Sequence, residues 1–363
     1  MKILIVEAAS HFKVLENVNY LLSKNCRNVD IYFLINSKDI ELRDFLFPNY
    51  EKVNWIVNKL HVSFIFFHLL LIAHKFKYIN ISTGPEGDHF SLNLSSVFFY
   101  IFSQIYGRKT ILTIKNIRPY LNKKYSFQSY LKLKSLKKFK GITFETNTMK
   151  EVFYNETKVS KNILSVSYDR YIDNKANNFN KLSYGKKYQL VLGLAGMVES
   201  ERRNYDEVLK ALRLLPEKIR SKILFVTLGA VPLGNKNDII KNINSLVDID
   251  YIKGFISHEQ FLERGSACDY VISPLKKEFE YGTYKGSGTL GDAIYLKKKL
   301  IFPRYCDPLN EFAKIGVYYD TFEDLVDIFT SIFEKGKTEI DEKFFEKFSS
   351  YAVYSSLNNI YKF

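Results

Sequence analysis

Short apolar runs alternate with amphipathic segments along most of the chain. KILIVEA at 2–8, YINIS at 78–82 and KTILTIKN at 109–116 are such runs, while SLNLSSVFFYIFSQIYG at 91–107 has a helical pattern that ends at a glycine. Near-continuous apolar runs are typical of parallel strands that helices cover on both faces. The alternation therefore predicts an α/β fold, with GITFET at 141–146 as the last clear strand of the first half.

The alternation stops at residues 172–187, IDNKANNFNKLSYGKK, and then starts again. This polar, asparagine-rich stretch has no period, which is typical of a linker. We therefore expect two Rossmann-like parallel-sheet domains facing a cleft, one over 1–171 and one over 188–340. Residues 341–363 are expected to form a C-terminal helix that packs back on the first domain. A chain of 363 residues is also long for a single core.

Composition excludes several classes of protein. Hydrophobic residues make up 46% of the chain and aromatic residues 16%, which excludes disorder. Three widely separated cysteines have no metal-site spacing and favour a reducing compartment. The longest apolar run, VSFIFFHLLLIAH at 62–74, is shorter than the roughly 20 residues that span a bilayer. We expect a core helix there and a cytoplasmic protein.

The net charge of +14 favours polyanionic partners, although coding bias toward lysine would also explain it. The aromatic residues fall in apparent core strands, so no nucleic-acid partner is expected. The stretch NKKYSFQSYLKLKSLKKFKG at 122–141 is dense in lysines, but a helical wheel spreads them all round. A solvated helix and a face for an anionic membrane both remain open. An anionic membrane surface, bound peripherally at the inner face of the cell membrane, is therefore a candidate partner.

A glycine-rich turn precedes a helix in KGSGTLGDAIYLKKKLIFP at 285–303. Gly286 and Gly288 would let the backbone approach a ligand, and Ser287 or Thr289 would cap the helix. Helix starts bind anions through unpaired N–H groups and the helix dipole, so a phosphate or pyrophosphate is the expected occupant. A tight turn with nothing bound is the alternative.

Two earlier pieces of the second half extend this pattern. LAGMVESERRNYDEVLKAL at 194–212 places two arginines between a strand and a helix, where a guanidinium could bind phosphate oxygens bidentately. A solvated charge pair is the alternative. YIKGFISHEQFLERGSACDYVISPL at 251–275 has Gly254 at the end of an expected strand, DYIKGF, before a helix.

The order of these three pieces resembles the nucleotide-sugar-binding domain of group-1 (GT4-like) glycosyltransferases with the GT-B fold. The likeness covers residues 188–305. It implies that the arginines neutralise the leaving diphosphate and that N–H groups of the glycine-rich turn hold phosphates or sugar hydroxyls. Asp292 takes the place of the second glutamate of the E-x7-E motif, which binds ribose, and Phe255 faces the base. The implied donor-binding residues are Gly196, Arg202, Arg203, Asn204, Gly254, Phe255, Tyr284, Lys285, Gly286, Ser287, Gly288, Thr289 and Asp292.

One position departs from that family. Tyr284 stands where the family has its first glutamate, which contacts the donor sugar. Glu278 and Glu280 lie nearby and could substitute for it. The identity of the donor sugar therefore stays open, as does whether its anomeric configuration is retained or inverted during transfer.

The first half offers candidates for the base that activates an acceptor hydroxyl. ISTGPEGDHFS at 81–91 runs from a strand into a turn with Glu86 and His89, and EAASHF after the first strand contains His11. Carboxylates and imidazoles at hydrogen-bonding distance of a hydroxyl can act as general bases. Simple solvated turn residues are the alternative. EAASHF also lacks the G-x-G-x-x-G turn that a dinucleotide cofactor needs.

The resemblance to this family implies a metal-independent glycosyltransferase that needs no cofactor. Its donor would be a UDP- or GDP-linked sugar, and its acceptor a glycan or lipid-linked oligosaccharide in bacterial capsule, O-antigen or exopolysaccharide biosynthesis. A non-hydrolysing sugar-nucleotide epimerase and a catalytically inactive nucleotide-binding protein of the same fold are the alternatives.

Overall fold

The computed structural model describes residues 1–7, 29–37, 53–84, 93–121, 127–166, 184–185, 187–232 and 238–361. The chain divides into two units. The first contains Met1–Asp169, Tyr284–Gly286 and Ser350–Phe363, and the second contains Arg170–Thr283 and Ser287–Ser349. The expected linker at 172–187 lies outside the described residues apart from positions 184, 185 and 187.

The first unit is built on a parallel sheet of seven strands in the order β3-β2-β1-β4-β5-β6-β7. Its strands are β1 (Lys2–Val6), β2 (Asp30–Asn36), β3 (Asn54–Asn58), β4 (Tyr78–Ile81), β5 (Thr110–Ile114), β6 (Gly141–Phe144) and β7 (Leu164–Val166). The strand order reverses between β1 and β4. Residues 141–144 of the stretch GITFET form β6, and one further strand, Leu164–Val166, pairs with it. That strand has only three residues, too few for a visible pattern.

Helices connect the strands of the first unit. They are α1 (Ile65–Ile72), α2 (Asn93–Tyr106), α3 (Arg118–Leu121), α4 (Phe127–Leu136) and α5 (Asn147–Thr157). Their buried faces meet the sheet in an aromatic-rich core, in which the rings of Phe66 and Phe99 lie 4.9 Å apart in an edge-to-face arrangement. The apolar run at 62–74 thus forms α1 and the short 3₁₀ turns beside it, with Phe66 and Leu69 in the core.

The second unit has a parallel sheet of six strands in the order β10-β9-β8-β11-β12-β13. Its strands are β8 (Leu190–Leu194), β9 (Ile223–Thr227), β10 (Asp248–Asp250), β11 (Tyr270–Ile272), β12 (Lys299–Pro303) and β13 (Gly316–Tyr319). Here the order reverses between β8 and β11. The expected strand DYIKGF is wrong in position, because β10 ends before Tyr251 and Gly254 has a left-handed backbone with φ +83°.

The helices that follow complete the chain. They are α6 (Tyr205–Leu214), α7 (Glu217–Arg220), α8 (Asp238–Asn244), α9 (His258–Ala267), α10 (Gly288–Tyr295), α11 (Phe322–Lys335), α12 (Glu342–Phe345) and α13 (Ser350–Tyr361). The single helix predicted for 341–363 is interrupted. A 3₁₀ turn follows α12, and the extended backbone of Ser349 separates it from α13. The division between the two units falls at this break.

Both sheets have the strand order of Rossmann folds, so the prediction of two Rossmann-like parallel-sheet domains is confirmed. Among the described residues, no helix combines the length and the apolar character needed to cross a bilayer.

Candidate donor site

The loops that follow β8 and β11 lie side by side where the second sheet reverses its strand order. The Asn204 N–H donates to the Pro274 carbonyl at 2.6 Å, and Arg203 and Leu275 form an antiparallel bridge. In open parallel sheets, ligands bind outside the carboxyl ends of the strands at such a reversal. The geometry therefore indicates a ligand site at these two loops.

Arg203 is held rigidly in this place. Its side chain is buried, with 8% of the residue exposed. Nε donates to the Met197 carbonyl at 2.8 Å, and Nη1 donates to Ser273 Oγ at 3.2 Å. Both acceptors are uncharged, and no carboxylate of the described residues pairs with this guanidinium. Because buried charges are normally paired, such a group favours an anionic ligand.

A chain of hydroxyl groups connects Arg203 to the start of α10. Ser273 Oγ lies 2.9 Å from Thr289 Oγ1, which lies 2.7 Å from Ser287 Oγ. The prediction that a serine or threonine side chain caps α10 is wrong: Ser287 holds the N-cap position, but its hydroxyl pairs with Thr289 and makes no capping bond. The first turn of α10 therefore lacks a side-chain cap.

Space is open at the start of α10. Gly288 is exposed, and a Cβ atom built there would meet nothing within 4 Å. Uncapped N–H groups and the positive end of the helix dipole attract anions. The helix start and the buried guanidinium together form an electropositive site.

Gly196 is required for this geometry. Its φ of +73° is a left-handed conformation, and a Cβ atom there would lie 2.1 Å from Nη2 of Arg203. A Cβ at Gly229, after β9, would lie 2.1 Å from the Gly196 carbonyl oxygen. Only glycines allow the loops after β8 and β9 to approach so closely.

Arg202 has different surroundings from its neighbour. Its Nε donates to Glu199 Oε1 at 2.9 Å, and its backbone N–H donates to Glu199 Oε2 at 3.0 Å. Burial lowers the pKa of Arg202, but Tyr281 and Glu199 raise it, and the net shift is upward. The two adjacent arginines thus differ: Arg202 pairs with a carboxylate, whereas Arg203 pairs with none in the part of the chain that the structure describes.

Three more predicted donor residues belong to the second unit. Asp292 is buried in the second turn of α10. Gly254, beyond β10, exchanges backbone hydrogen bonds of 2.7 and 3.0 Å with Val231. Phe255 is 68% exposed, which makes its ring accessible for stacking.

Three other predicted donor residues group with the first unit. The Tyr284 carbonyl accepts from the Ile117 N–H at 2.8 Å, and the Arg118 guanidinium lies 3.7 Å from the centre of the Tyr284 ring. The Gly286 N–H donates to the Lys115 carbonyl at 2.8 Å, and Lys285 forms a bridge with Asn116. These backbone contacts attach Tyr284–Gly286 to the first unit.

The candidate bases His11, Glu86 and His89 lie outside the described residues. Glu7 is described: it lies buried at the end of β1 and accepts from Thr83 Oγ1 at 3.3 Å. These two residues occupy the reversal between β1 and β4.

Sequence reasoning missed Ser273, Glu199 and Gly229. Ser273 and Gly229 follow β11 and β9 within two residues, so their position after a strand was the available signal. Glu199 lies three residues before Arg202, a spacing that allows a local ion pair.

Comparison with known proteins identifies the fold. No protein-family model matches the chain, and no curated protein matches it in sequence. Solved structures match over the whole chain. HepE from Anabaena, in complex with UDP, has a TM-score of 0.65 and 12% identity, covering 99% of both chains.

Two further structures are similar. WaaG, a glycosyltransferase involved in lipopolysaccharide biosynthesis, has a TM-score of 0.59 and 11% identity, over 100% of this chain and 99% of its own. UDP-GlcNAc 2-epimerase from Neisseria meningitidis, bound to UDP-GlcNAc, has a TM-score of 0.58 and 14% identity, over 99% of this chain and 100% of its own. The predicted GT-B fold is confirmed.

Proposed function

We propose that this protein is a glycosyltransferase that moves a sugar from a nucleoside-diphosphate sugar to a glycan or lipid-linked acceptor. The observation that carries the proposal is Arg203, a buried guanidinium that pairs with no carboxylate of the described residues, beside the open start of α10. The similarity to HepE bound to UDP supports a UDP-linked donor. The similarity to WaaG supports a role in bacterial surface polysaccharide assembly.

The site fits the chemistry of glycosyl transfer. When the bond between sugar and phosphate breaks, negative charge develops on the departing diphosphate. Arg203 and the N–H groups at the start of α10 stabilise this charge, and the bonds to Met197 and Ser273 hold the guanidinium in place beforehand. These groups supply positive charge without a metal ion, so we expect turnover to persist in EDTA.

The acceptor hydroxyl needs a base or an orienting group, and His11, Glu86 and His89 remain our candidates. Replacing the correct one by alanine should lower the acceptor-dependent rate by about 100-fold or more and leave donor affinity unchanged. Retention of full activity in all three variants would exclude them as bases.

Nucleotide binding to Arg203 variants tests the donor site. A thermal-shift screen with UDP, GDP, CMP and dTDP sugars identifies the base, since a bound ligand stabilises the native state. Calorimetry should then show UDP binding about 10- to 100-fold weaker in Arg203→Gln. Arg203→Lys should recover part of the affinity, because lysine keeps the positive charge but cannot bind a phosphate with two N–H groups at once. Arg213→Gln, on the exposed side of α6, is the matched control. Equal affinity in the parent, Arg203→Gln and the control would refute the site.

A sugar-nucleotide epimerase is the second candidate, favoured by the similarity to the Neisseria enzyme. An epimerase converts its sugar nucleotide without an acceptor, whereas a transferase does not. Incubation with UDP-GlcNAc alone, followed by NMR of the sugar, distinguishes them. Tight nucleotide binding without turnover under either condition would indicate an inactive binding protein.

A further inference from the structure

Three residues beside the glycine-rich turn are held by the first unit. Tyr284–Gly286, which we call the strap, belongs to that unit, whereas Thr283 and Ser287 on either side belong to the second. Ser287 is the N-cap of α10, so the strap ends one peptide bond before the start of this helix. The conformation of the strap therefore bears directly on the backbone at the start of α10.

Backbone hydrogen bonds pair the strap with residues 115–117, directly after β5. The Ile117 N–H donates to the Tyr284 carbonyl at 2.8 Å. The Gly286 N–H donates to the Lys115 carbonyl, also at 2.8 Å. The residues between them form an antiparallel bridge. The strap thus pairs with this loop in the manner of an antiparallel strand, and its backbone is bonded at both ends.

The side chain of Tyr284 anchors the strap. Its ring is half-buried and packs against the hydrophobic core of the first unit. Cζ of Arg118 lies 3.7 Å from the ring centre, which is close enough for a cation–π interaction. The family that the sequence resembles has a glutamate at this position, which contacts the donor sugar. In this chain the ring and the carbonyl of Tyr284 both contact the first unit instead.

Gly286 lies against a carboxylate. A Cβ atom built at Gly286 would lie 1.8 Å from Oε2 of Glu145, 2.3 Å from Cδ and 2.8 Å from Oε1. Lys115 Nζ lies 3.1 Å from that Oε1, and the two side chains are each only 13% exposed, so the carboxylate is held in place. Gly286 does not have the positive φ of Gly196. A glycine is therefore required here by the contact with Glu145, and a larger residue would push the strap away.

We propose that Tyr284 is a positioning residue for the donor site. With its ring packed on the first unit, the strap holds Gly286, and thereby the uncapped first turn of α10, in the conformation that binds a nucleoside diphosphate. This inference rests on the proposed function. When the strap detaches, Gly286 loses its bond to Lys115 and the N–H groups at the start of α10 are no longer held, so the nucleotide binds more weakly. By linkage, a bound nucleotide stabilises the attached strap by the same factor.

Hydrogen exchange at Ile117 measures whether the strap is attached. The Ile117 N–H is bonded to the Tyr284 carbonyl, so its exchange requires the strap to detach. Tyr284→Ala should raise the exchange rate about tenfold, because the ring and its cation–π interaction are lost. Saturating UDP should slow the exchange in the parent and have much less effect in Tyr284→Ala. Mass spectrometry of the peptide that contains Ile117 gives the rates.

Tyr154→Ala is the matched control. Tyr154 is also a half-buried tyrosine of the first unit, and Lys161 Nζ lies 4.3 Å from the centre of its ring. It lies on α5, so loss of its ring should cost stability without raising the exchange rate at Ile117. Equal exchange rates at Ile117 in Tyr284→Ala and Tyr154→Ala would overturn the inference.

Titration calorimetry measures the coupling to the donor site. Two coupled sites typically change each other's affinity by about 5- to 150-fold, so UDP should bind about fivefold or more weakly in Tyr284→Ala than in Tyr154→Ala. Tyr284→Phe keeps the ring and should recover most of the lost affinity. Equal affinity in Tyr284→Ala and Tyr154→Ala would overturn this inference alone. A parent protein that binds none of the nucleotides in the thermal-shift screen would refute the proposed function and this inference with it.

A suppressor variant separates positioning from direct contact with the nucleotide, and it does not require that Tyr284→Ala folds. Gly286→Ala should weaken UDP binding about fivefold or more, since its Cβ overlaps the Glu145 carboxylate and displaces the strap. In Gly286→Ala/Glu145→Ala the overlap is gone, and the affinity should return to within about twofold of Glu145→Ala. Gly286→Ala/Glu145→Gln keeps the size of the side chain and should not recover. If the loss persists in Gly286→Ala/Glu145→Ala, Gly286 contacts the nucleotide directly and the inference is overturned.

Discussion

Replacing Gly196 by alanine should disturb the donor site in two separable ways. Alanine is strained by about 1–2 kcal/mol at a left-handed φ such as +73°. Its Cβ would also lie 2.1 Å from Nη2 of Arg203, so the guanidinium must move. Movement breaks at least one of its hydrogen bonds to Met197 and Ser273, each worth about 1.5–3 kcal/mol because the donor is charged.

Gly185→Ala isolates the first effect. Gly185 has a φ of +70°, and a Cβ there would meet nothing within 4 Å. Both variants thus carry the backbone strain, and only Gly196→Ala displaces Arg203. The difference in unfolding free energy should be about 2 kcal/mol or more. For a domain of 150–250 residues, that lowers Tm by about 4–8 °C beyond the control.

Scanning calorimetry measures the stability difference, and titration calorimetry with UDP measures the functional one. We expect UDP binding to weaken about 10- to 100-fold in Gly196→Ala and to stay at the parent level in Gly185→Ala. Equal Tm values and equal UDP affinities in the two variants would show that Arg203 is not held against Gly196, and the account of the site would be refuted.

Three further predictions concern buried and half-buried side chains. Ser273→Ala removes an acceptor of Arg203 and should lower unfolding stability by about 1–3 kcal/mol, measured by urea titration; an unchanged midpoint would contradict it. Burial raises the pKa of Glu207, so the folded state binds a proton more tightly than the unfolded state, and stability falls as pH rises from about 4.3 through the raised value. Glu207→Gln should therefore gain Tm over the parent between pH 4 and 7, and a constant difference would argue against this. Burial raises the pKa of Cys268 to about 12 and that of Cys306 as well, so iodoacetamide should label both far faster in urea than in the native protein, as mass spectrometry would show; equal rates would contradict their burial.

Most of the fold could be predicted because each strand and helix leaves a local pattern. The apolar runs at 2–8 and 78–82 lie on β1 and β4, and the helical pattern at 91–107 ends where Gly107 ends α2. The predicted positions of strands and helices were wrong where the backbone departs from the regular conformation that the hydrophobic pattern indicates. Gly254 lies beyond β10 with a left-handed backbone and pairs with Val231, and Ser349 interrupts an otherwise helical segment.

The donor site was only partly predictable. Glycines and arginines near strand ends are visible in a sequence, and Gly196, Arg203 and Thr289 do lie together. Ser273 was missed because its partners lie 70 and 16 residues away, and only the folded sheet brings them together. The capping prediction failed for a related reason, since the Ser287 hydroxyl has a second available partner.

The lysine-rich stretch at 122–141 illustrates the limit for surfaces. Taken alone, its helical wheel has no clean face. In the structure, α4 buries Leu131 and Leu136 and leaves Phe127 and Tyr130 exposed, so its outward side is not purely polar. The wheel had no clean face because apolar residues lie on both sides of the helix.

The reversal of strand order in the second sheet also bears on how the protein reaches its native state. β8 pairs with β11, so strands about 80 positions apart along the chain must meet before Arg203 finds Ser273. Long loops must close first, and such contacts form slowly. After dilution from denaturant, UDP binding should therefore recover more slowly than the circular-dichroism signal of the helices. The rate at which UDP binding recovers then reports the last stage of refolding.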